Sequence, residues 1–152
     1  MIKMKTTVDM KMSGKVHHHA RTDVTVRDVV AIIDEPVARG GTNLGLTPTE
    51  TLVSALIGCT NVITQRIAHR DGVKIGTMAI DALAKLDRRG AAMEAEIDVP
   101  FPSIALTITL TTDATPAQME VIKTDLARFC PIAKVLRASG TEIAETWTVS
   151  AL

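Results

Sequence analysis

Aromatic residues are nearly absent from this 152-residue chain, which has no tyrosine, two phenylalanines and one tryptophan, Trp147. Its core must therefore be aliphatic, drawn from Val, Ile, Leu, Ala and Met. Net charge is absent too, because 17 basic residues are set against 17 acidic ones. That balance supplies no field for gathering nucleic acid or an anionic membrane, so neither is an expected partner. Cysteines number only two, Cys59 and Cys130. They are too few for a secreted disulfide scaffold, and their separation is not a metal-ligand spacing. No apolar run is long enough to span a membrane, and the mixed charges of residues 1–15 lack the apolar core of a secretory leader. The expected compartment is the cytosol, where a cysteine pair is either inert or redox-active. There is no internal repeat and no low-complexity segment. One domain, 1–152, is the simplest organisation. A neutral surface with this many aliphatic residues also suggests that a partner subunit covers part of it.

What the chain does have is organised around residues 47–70. Thr47 can cap a helix, Pro48 suits the first helical position, and Glu50 stands where a capping box places its glutamate. From Leu52 to Ile63 there is no charge, which predicts a helix buried on nearly every face. Cys59 lies in its middle. Before it, weak alternation within residues 1–33 predicts two or three strands. His17 and His19 would share a strand face, either solvated or as part of a metal site that nothing else in the sequence completes. Residues 34–47, DEPVARGGTNLGLT, read as a loop leading into the helix. Arg39 is the charge in it best placed to reach inward.

After the helix, alternation over residues 73–86, a turn at residues 87–90 and alternation over residues 93–99 predict a β-hairpin. Ile104, Leu106, Ile108 and Leu110 predict a strand with one buried face. Thr115, Pro116 and Gln118 repeat the capping signal, and Met119, Ile122, Leu126 and Phe129 follow at helical spacing. Pro131 ends that helix and starts a short one, which Gly140 stops; a closing strand containing Trp147 follows. Strands, a helix, a meander, more helix and a last strand make an α+β fold with antiparallel sheet.

Thiol chemistry needs the thiolate, which burial among aliphatic side chains disfavours. Cys59 has no helix N-terminus to help it, so a reactive Cys59 needs a cation, and Arg39 is the expected supplier. Cys130 precedes a proline that begins a helix, and the free N–H groups there are expected to lower its pKa. Either cysteine alone reads first as a small core hydrophobe.

Taken together, Pro48-x-Glu50, the apolar helix to Gly58-Cys59-Thr60, and the distant Cys130-Pro131-Ile132 resemble the OsmC/Ohr family. That family comprises osmotically inducible protein C and the organic hydroperoxide resistance proteins. The likeness runs from about residue 40 to the C-terminus. It implies an OsmC-like fold in which antiparallel sheets pack around a long buried central helix, and two chains intertwine as a homodimer with active sites at the interface. It also implies a thiol-dependent peroxidase that needs no metal or cofactor. Cys59 would attack the hydroperoxide, Cys130 would resolve the product to a disulfide, and an external dithiol reductant would restore both thiols.

In the best-known members a glutamate directly follows the proline and pairs with an arginine. Here Thr49 holds that place and Glu50 comes one residue later, a rotation of about 100° on a helix. Glu50 is thus a candidate both as a catalytic residue and as a cap alone. Arg39 fits an arginine from the loop, and Arg21 fits one from the first strands. The alternative function is a protein of this fold that binds a small apolar or thiol-reactive ligand without turnover, and a plain structural dimer with inert thiols comes after it.

Overall fold

The structure is a computed structural model, and it describes residues 6–152. The chain divides into two compact units, Met1–Leu52 and Val53–Leu152. In the first, strands β1 (Ser13–His18), β2 (Arg21–Val26) and β3 (Val29–Ile33) form an antiparallel sheet in that order. Residues 6–12 run ahead of β1 without joining it. The part of the early strand and leader readings that falls on residues 1–5 lies outside the described residues. Two-residue turns join the strands, and Arg27 takes a left-handed φ of 54° in the second turn. His17 falls where the β1–β2 register shifts, and His19 lies beyond the strand, so the shared strand face expected of the two does not form.

Helix α1 (Pro48–Arg70) begins as its sequence dictates. The Glu50 N–H donates to Thr47 Oγ1 at 3.2 Å, and the Thr47 N–H donates to Glu50 Oε2 at 2.9 Å. Two otherwise orphaned donors are satisfied by this reciprocal pair. Within one chain, α1 is covered along one side only. Leu56, Thr60, Thr64, Ile67 and Ala68 form one buried stripe, while Leu52 and Val62 remain 38% and 45% exposed. The lack of charge from Leu52 to Ile63 does not itself place protein against every face, and within one chain only this stripe is covered.

In the second unit, β4 (Ile75–Lys85), β5 (Ser103–Thr112) and β6 (Glu142–Ala151) form a sheet in the order β4-β5-β6. The expected hairpin exists, but its return strand is β5 and not residues 93–99. Residues 86–102 are a looped connection in which Met93 is 92% exposed with a φ of 60°. Their alternation has no buried face to reward it. In β5, by contrast, Ile104, Leu106, Ile108 and Leu110 are all fully buried. The sheet is mixed, since β6 runs parallel to β5. A parallel neighbour needs a long crossover, which α2 (Pro116–Phe129) and α3 (Pro131–Ala138) supply. The purely antiparallel expectation is corrected at this one pair.

The core joins that inner strand face to Leu56 and Ile67 of α1, Met119, Ile122 and Leu126 of α2, and Ala133 and Leu136 of α3. Trp147 packs at its margin. Among the described residues, no helix is long and apolar enough to cross a membrane.

Thr64 sits fully buried in this core, and its hydroxyl has no hydrogen-bond partner among the described residues. An unsatisfied buried hydroxyl costs about 1 kcal/mol or more. Thr64→Val, which keeps the shape and removes the orphan, is expected to raise the urea midpoint of unfolding. A lowered midpoint would show that the hydroxyl is bonded in solution.

Candidate active site

Three segments bring the two cysteines together. Cys59 rides at the middle of α1, half-buried and beside the core. Cys130 occupies the break between α2 and α3, where its N–H still donates to the Leu126 carbonyl and Pro131 starts the next helix. Proline has no N–H to continue α2, yet its fixed φ suits the first position of α3. The Cys130 sulfur is fully buried and caps α3 by accepting the Ala133 N–H at 3.4 Å. Its thiol donates to the Cys59 sulfur across 2.8 Å.

The expected depression of the Cys130 pKa is corrected, because it is pushed up to about 11. Burial is the largest cause and the hydrogen bond with Cys59 adds to it, while the Ala133 and Ile132 N–H groups pull the other way and lose. Cys130 thus stays a protonated thiol at neutral pH, aimed at a sulfur that solvent can reach.

Charge pins the surrounding helices. Asp125 of α2 accepts Arg70 Nη2 of α1 at 2.8 Å and Arg128 Nη1 at 3.1 Å, and Arg70 also grips Asp71. Those two aspartates raise the Arg70 pKa, with Asp71 the larger cause. An open depression lined by Ile63, Arg66, Ile67, Arg70 and Phe129 lies alongside. Ile63 is one turn past Cys59, and Phe129 immediately precedes Cys130. Its floor is therefore apolar and its rim carries guanidinium groups.

The other candidates lie in the first unit. Glu50 is exposed, and its carboxylate is engaged in the cap. The Thr47 N–H is the main cause of its lowered pKa, with the Arg39 charge a lesser one. Arg39 ends a 3-10 turn, Val37–Arg39, and its Nε donates to Glu35 Oε2 at 2.6 Å. Arg21 is committed to Asp23 through both Nε and Nη2, and His17 Nε2 meets the same carboxylate at 3.0 Å. His19 lies over Gly40, where an added Cβ would come within 2.8 Å of its Nε2. Among the described residues, no cluster of His, Cys, Asp and Glu able to hold a metal ion forms.

Sequence reading missed the residue that shapes this loop. Asp34 is fully buried. Its carboxylate accepts the N–H groups of Glu35, Thr42 and Leu44, and the Thr42 hydroxyl at 2.5 Å. The loop closes further where the Asp34 N–H donates to the Leu46 carbonyl. A Cβ on Gly41 would run into the Glu35 carbonyl, so only glycine fits there. The available signal was an aspartate at the mouth of a glycine-rich loop, where such side chains bond local backbone.

A sequence model described as OsmC-like protein matches residues 41–146. No curated protein matches the sequence significantly. Among solved structures, an OsmC-like protein from Mycoplasma pneumoniae superposes with a TM-score of 0.78 at 14% identity, covering 94% of this chain and 98% of its own. An organic hydroperoxide resistance protein from Elizabethkingia anophelis gives 0.64 at 16%, covering 98% of this chain and 100% of its own. One from Bacillus subtilis gives 0.61 at 17%, covering 93% and 98%. At these identities the likeness is one of fold.

The bonds to Asp34, the Thr42 hydroxyl foremost, hold its pKa well below the usual carboxylate range. A depressed carboxylate contributes stability that is fully present above its unfolded value, about pH 3.9, and is lost as pH falls towards its folded value. Urea midpoints measured from neutral pH downwards are expected to fall more steeply below about pH 4 in the wild type than in Asp34→Asn. The variant should start from a lower midpoint at neutral pH. Equal acid slopes would remove Asp34 from the pH dependence.

Proposed function

The chain belongs to the OsmC-like protein family, and on that premise we propose that it is a thiol-dependent peroxidase acting on organic hydroperoxides. The observation that carries the reading is the 2.8 Å approach of a buried, protonated Cys130 to a half-exposed Cys59. In this reading the Cys59 thiolate attacks the outer peroxide oxygen. An S–O bond forms, the O–O bond breaks, and the alcohol leaves as alkoxide and takes a proton. The Cys130 thiol then displaces hydroxide from the Cys59 sulfenic acid, so a disulfide forms and water is released. A small dithiol reduces that bond by exchange, becoming a disulfide itself. The cytosol, where thiols are kept reduced, is the compartment that suits this cycle.

The apolar floor formed by Ile63, Ile67 and Phe129 favours organic over hydrogen peroxide. Arg39 is assigned the cationic role and Glu50 a supporting one through the helix cap. Closing a loop of this length, 71 positions, adds about 4 kcal/mol to the oxidised fold on the chain-entropy model. The uncovered apolar face of α1, with Leu52 and Val62, is assigned to a second copy of the chain. Sedimentation should then give twice the chain mass of 16.3 kDa, and a monomer at micromolar concentration would remove that assignment.

A second reading, a binder of a small thiol-reactive ligand without turnover, draws on Thr49, whose hydroxyl meets that of Thr47 at 3.2 Å. Titrating the reduced protein with cumene hydroperoxide separates the two. A peroxidase loses both of its free thiols rapidly and in step with peroxide, and Cys130→Ser stops at a sulfenic acid trapped on Cys59. Slow or absent thiol loss supports the binder. Oxidation that begins at Cys130 reverses the roles.

A further inference from the structure

Cys59, Ile63, Arg66 and Arg70 follow one another along α1 at intervals of four, three and four, so they share one face of the helix. Arg66 starts about 10 Å beyond Cys59 along the axis. Helical side chains lean towards the N-terminus, which carries its guanidinium back over the turn of Ile63, in the direction of the sulfur. Ile63 and Arg66 both line the depression beside Phe129, the residue before Cys130. Its volume of about 290 Å³ suits a small molecule. Three guanidiniums stand in this neighbourhood, and two are committed. Arg70 is bonded to Asp71 and Asp125, and Arg128 to Asp125 and to the Phe129 ring, 5.1 Å from its centroid. Arg66 is exposed and makes no hydrogen bond or ion pair among the described residues. One positive charge is therefore left over at the rim, in a chain with no net charge. Peroxide and reductant must reach Cys59 in turn, and they differ in charge. A hydroperoxide arrives neutral, whereas the thiol that reopens the disulfide attacks as a thiolate. An unpaired cation on the approach complements the second visitor.

We propose that this depression admits the reductant, and that Arg66 selects a small thiol bearing an acid group, whether carboxylate, sulfonate or phosphate. This deepens the peroxidase reading and rests on it for the disulfide. The reductant's thiolate attacks Cys59 and forms a bond between the two sulfurs. The bond from Cys59 to Cys130 breaks, and its electron pair passes to the buried Cys130 sulfur, which takes up a proton. A second thiol then attacks the reductant's sulfur in the mixed disulfide. The reductant leaves as a disulfide, and Cys59 is released as a thiolate.

The test oxidises the full chain with diamide, which closes the disulfide whether or not the protein turns over peroxide. Reopening is then followed with 2-mercaptoethanesulfonate, 2-mercaptoethanol and cysteamine, which carry a negative, no and a positive charge on one two-carbon frame. Each rate is taken per thiolate and divided by the same thiol's rate with 2-hydroxyethyl disulfide. The sulfonate is expected to react about fivefold faster than the neutral thiol at about 0.01 M salt, with cysteamine slowest and the spread closing at about 0.5 M. Arg66→Gln should bring the sulfonate within about twofold of the neutral thiol without slowing the neutral thiol, and Arg66→Lys should keep the preference. A wild type without the preference, or a preference that survives Arg66→Gln, overturns the proposal and leaves the peroxidase reading standing. Equal slowing of all three thiols in Arg66→Gln overturns it as damage to the helix. The expected preference in a protein that cumene hydroperoxide fails to oxidise upholds selection by Arg66 and removes the peroxidase reading. Failure of diamide to join Cys59 and Cys130 overturns both.

Discussion

The contact between the Cys130 thiol and the Cys59 sulfur holds only if three pieces of chain are fixed at once. Helix α1 must keep its rotation, α2 must end at Phe129, and α3 must start at Pro131. The proline enforces the break, the aliphatic core fixes both helices from below, and Asp125 ties α1 to α2 through Arg70. Burial then sets the chemistry. Desolvation outweighs the α3 N–H groups, so the sulfur inside the core keeps its proton, while the one at the edge is half-exposed. The same aliphatic packing that makes a cysteine pair look inert in sequence thereby divides the pair into unlike partners.

The first unit depends on smaller polar devices of one kind, in which a side chain answers nearby backbone donors. Asp34 does so for the loop, and Thr47 with Glu50 does so for the start of α1. Each device has a chemical consequence. A carboxylate committed to a cap is not free to act as a base, and an arginine gripped on two nitrogens by Asp23 differs from one gripped on a single nitrogen by Glu35. Of the two arginines weighed from sequence, Arg21 is held by Asp23 through two nitrogens and Arg39 by Glu35 through one.

Features governed by local rules were legible in the chain. Both capping boxes, the break at Pro131 and the buried face of β5 appear at the residues that announce them. What was not legible depends on partners far away in sequence. Residues 93–99 alternate as well as a strand does, but alternation cannot say whether anything lies beneath it. The parallel course of β6 follows from the crossover path and from no residue in β6 itself. The pKa of Cys130 turned on a contest between burial and helix N–H groups, and only the packed core decides it. Cys59 and Cys130 were found as a pair through family likeness, whereas Asp34 needed the loop geometry. Nothing about an aspartate in sequence declares that it will be fully buried.

The mixed sheet has a consequence for the order of assembly. The middle strand, β5, is flanked by β4, which arrives just before it, and by β6, which is made only after both later helices. During synthesis from the N-terminus, β4 and β5 can pair early and locally. The far edge of β5 meanwhile offers its unpaired backbone to any extended segment that comes near. Closure waits on a distant strand, the slowest kind of pairing to find. A nascent chain stalled before residue 142 would therefore be an open-edged intermediate that a ribosome-associated chaperone would need to shield, and the last strand acts as the seal on the second unit.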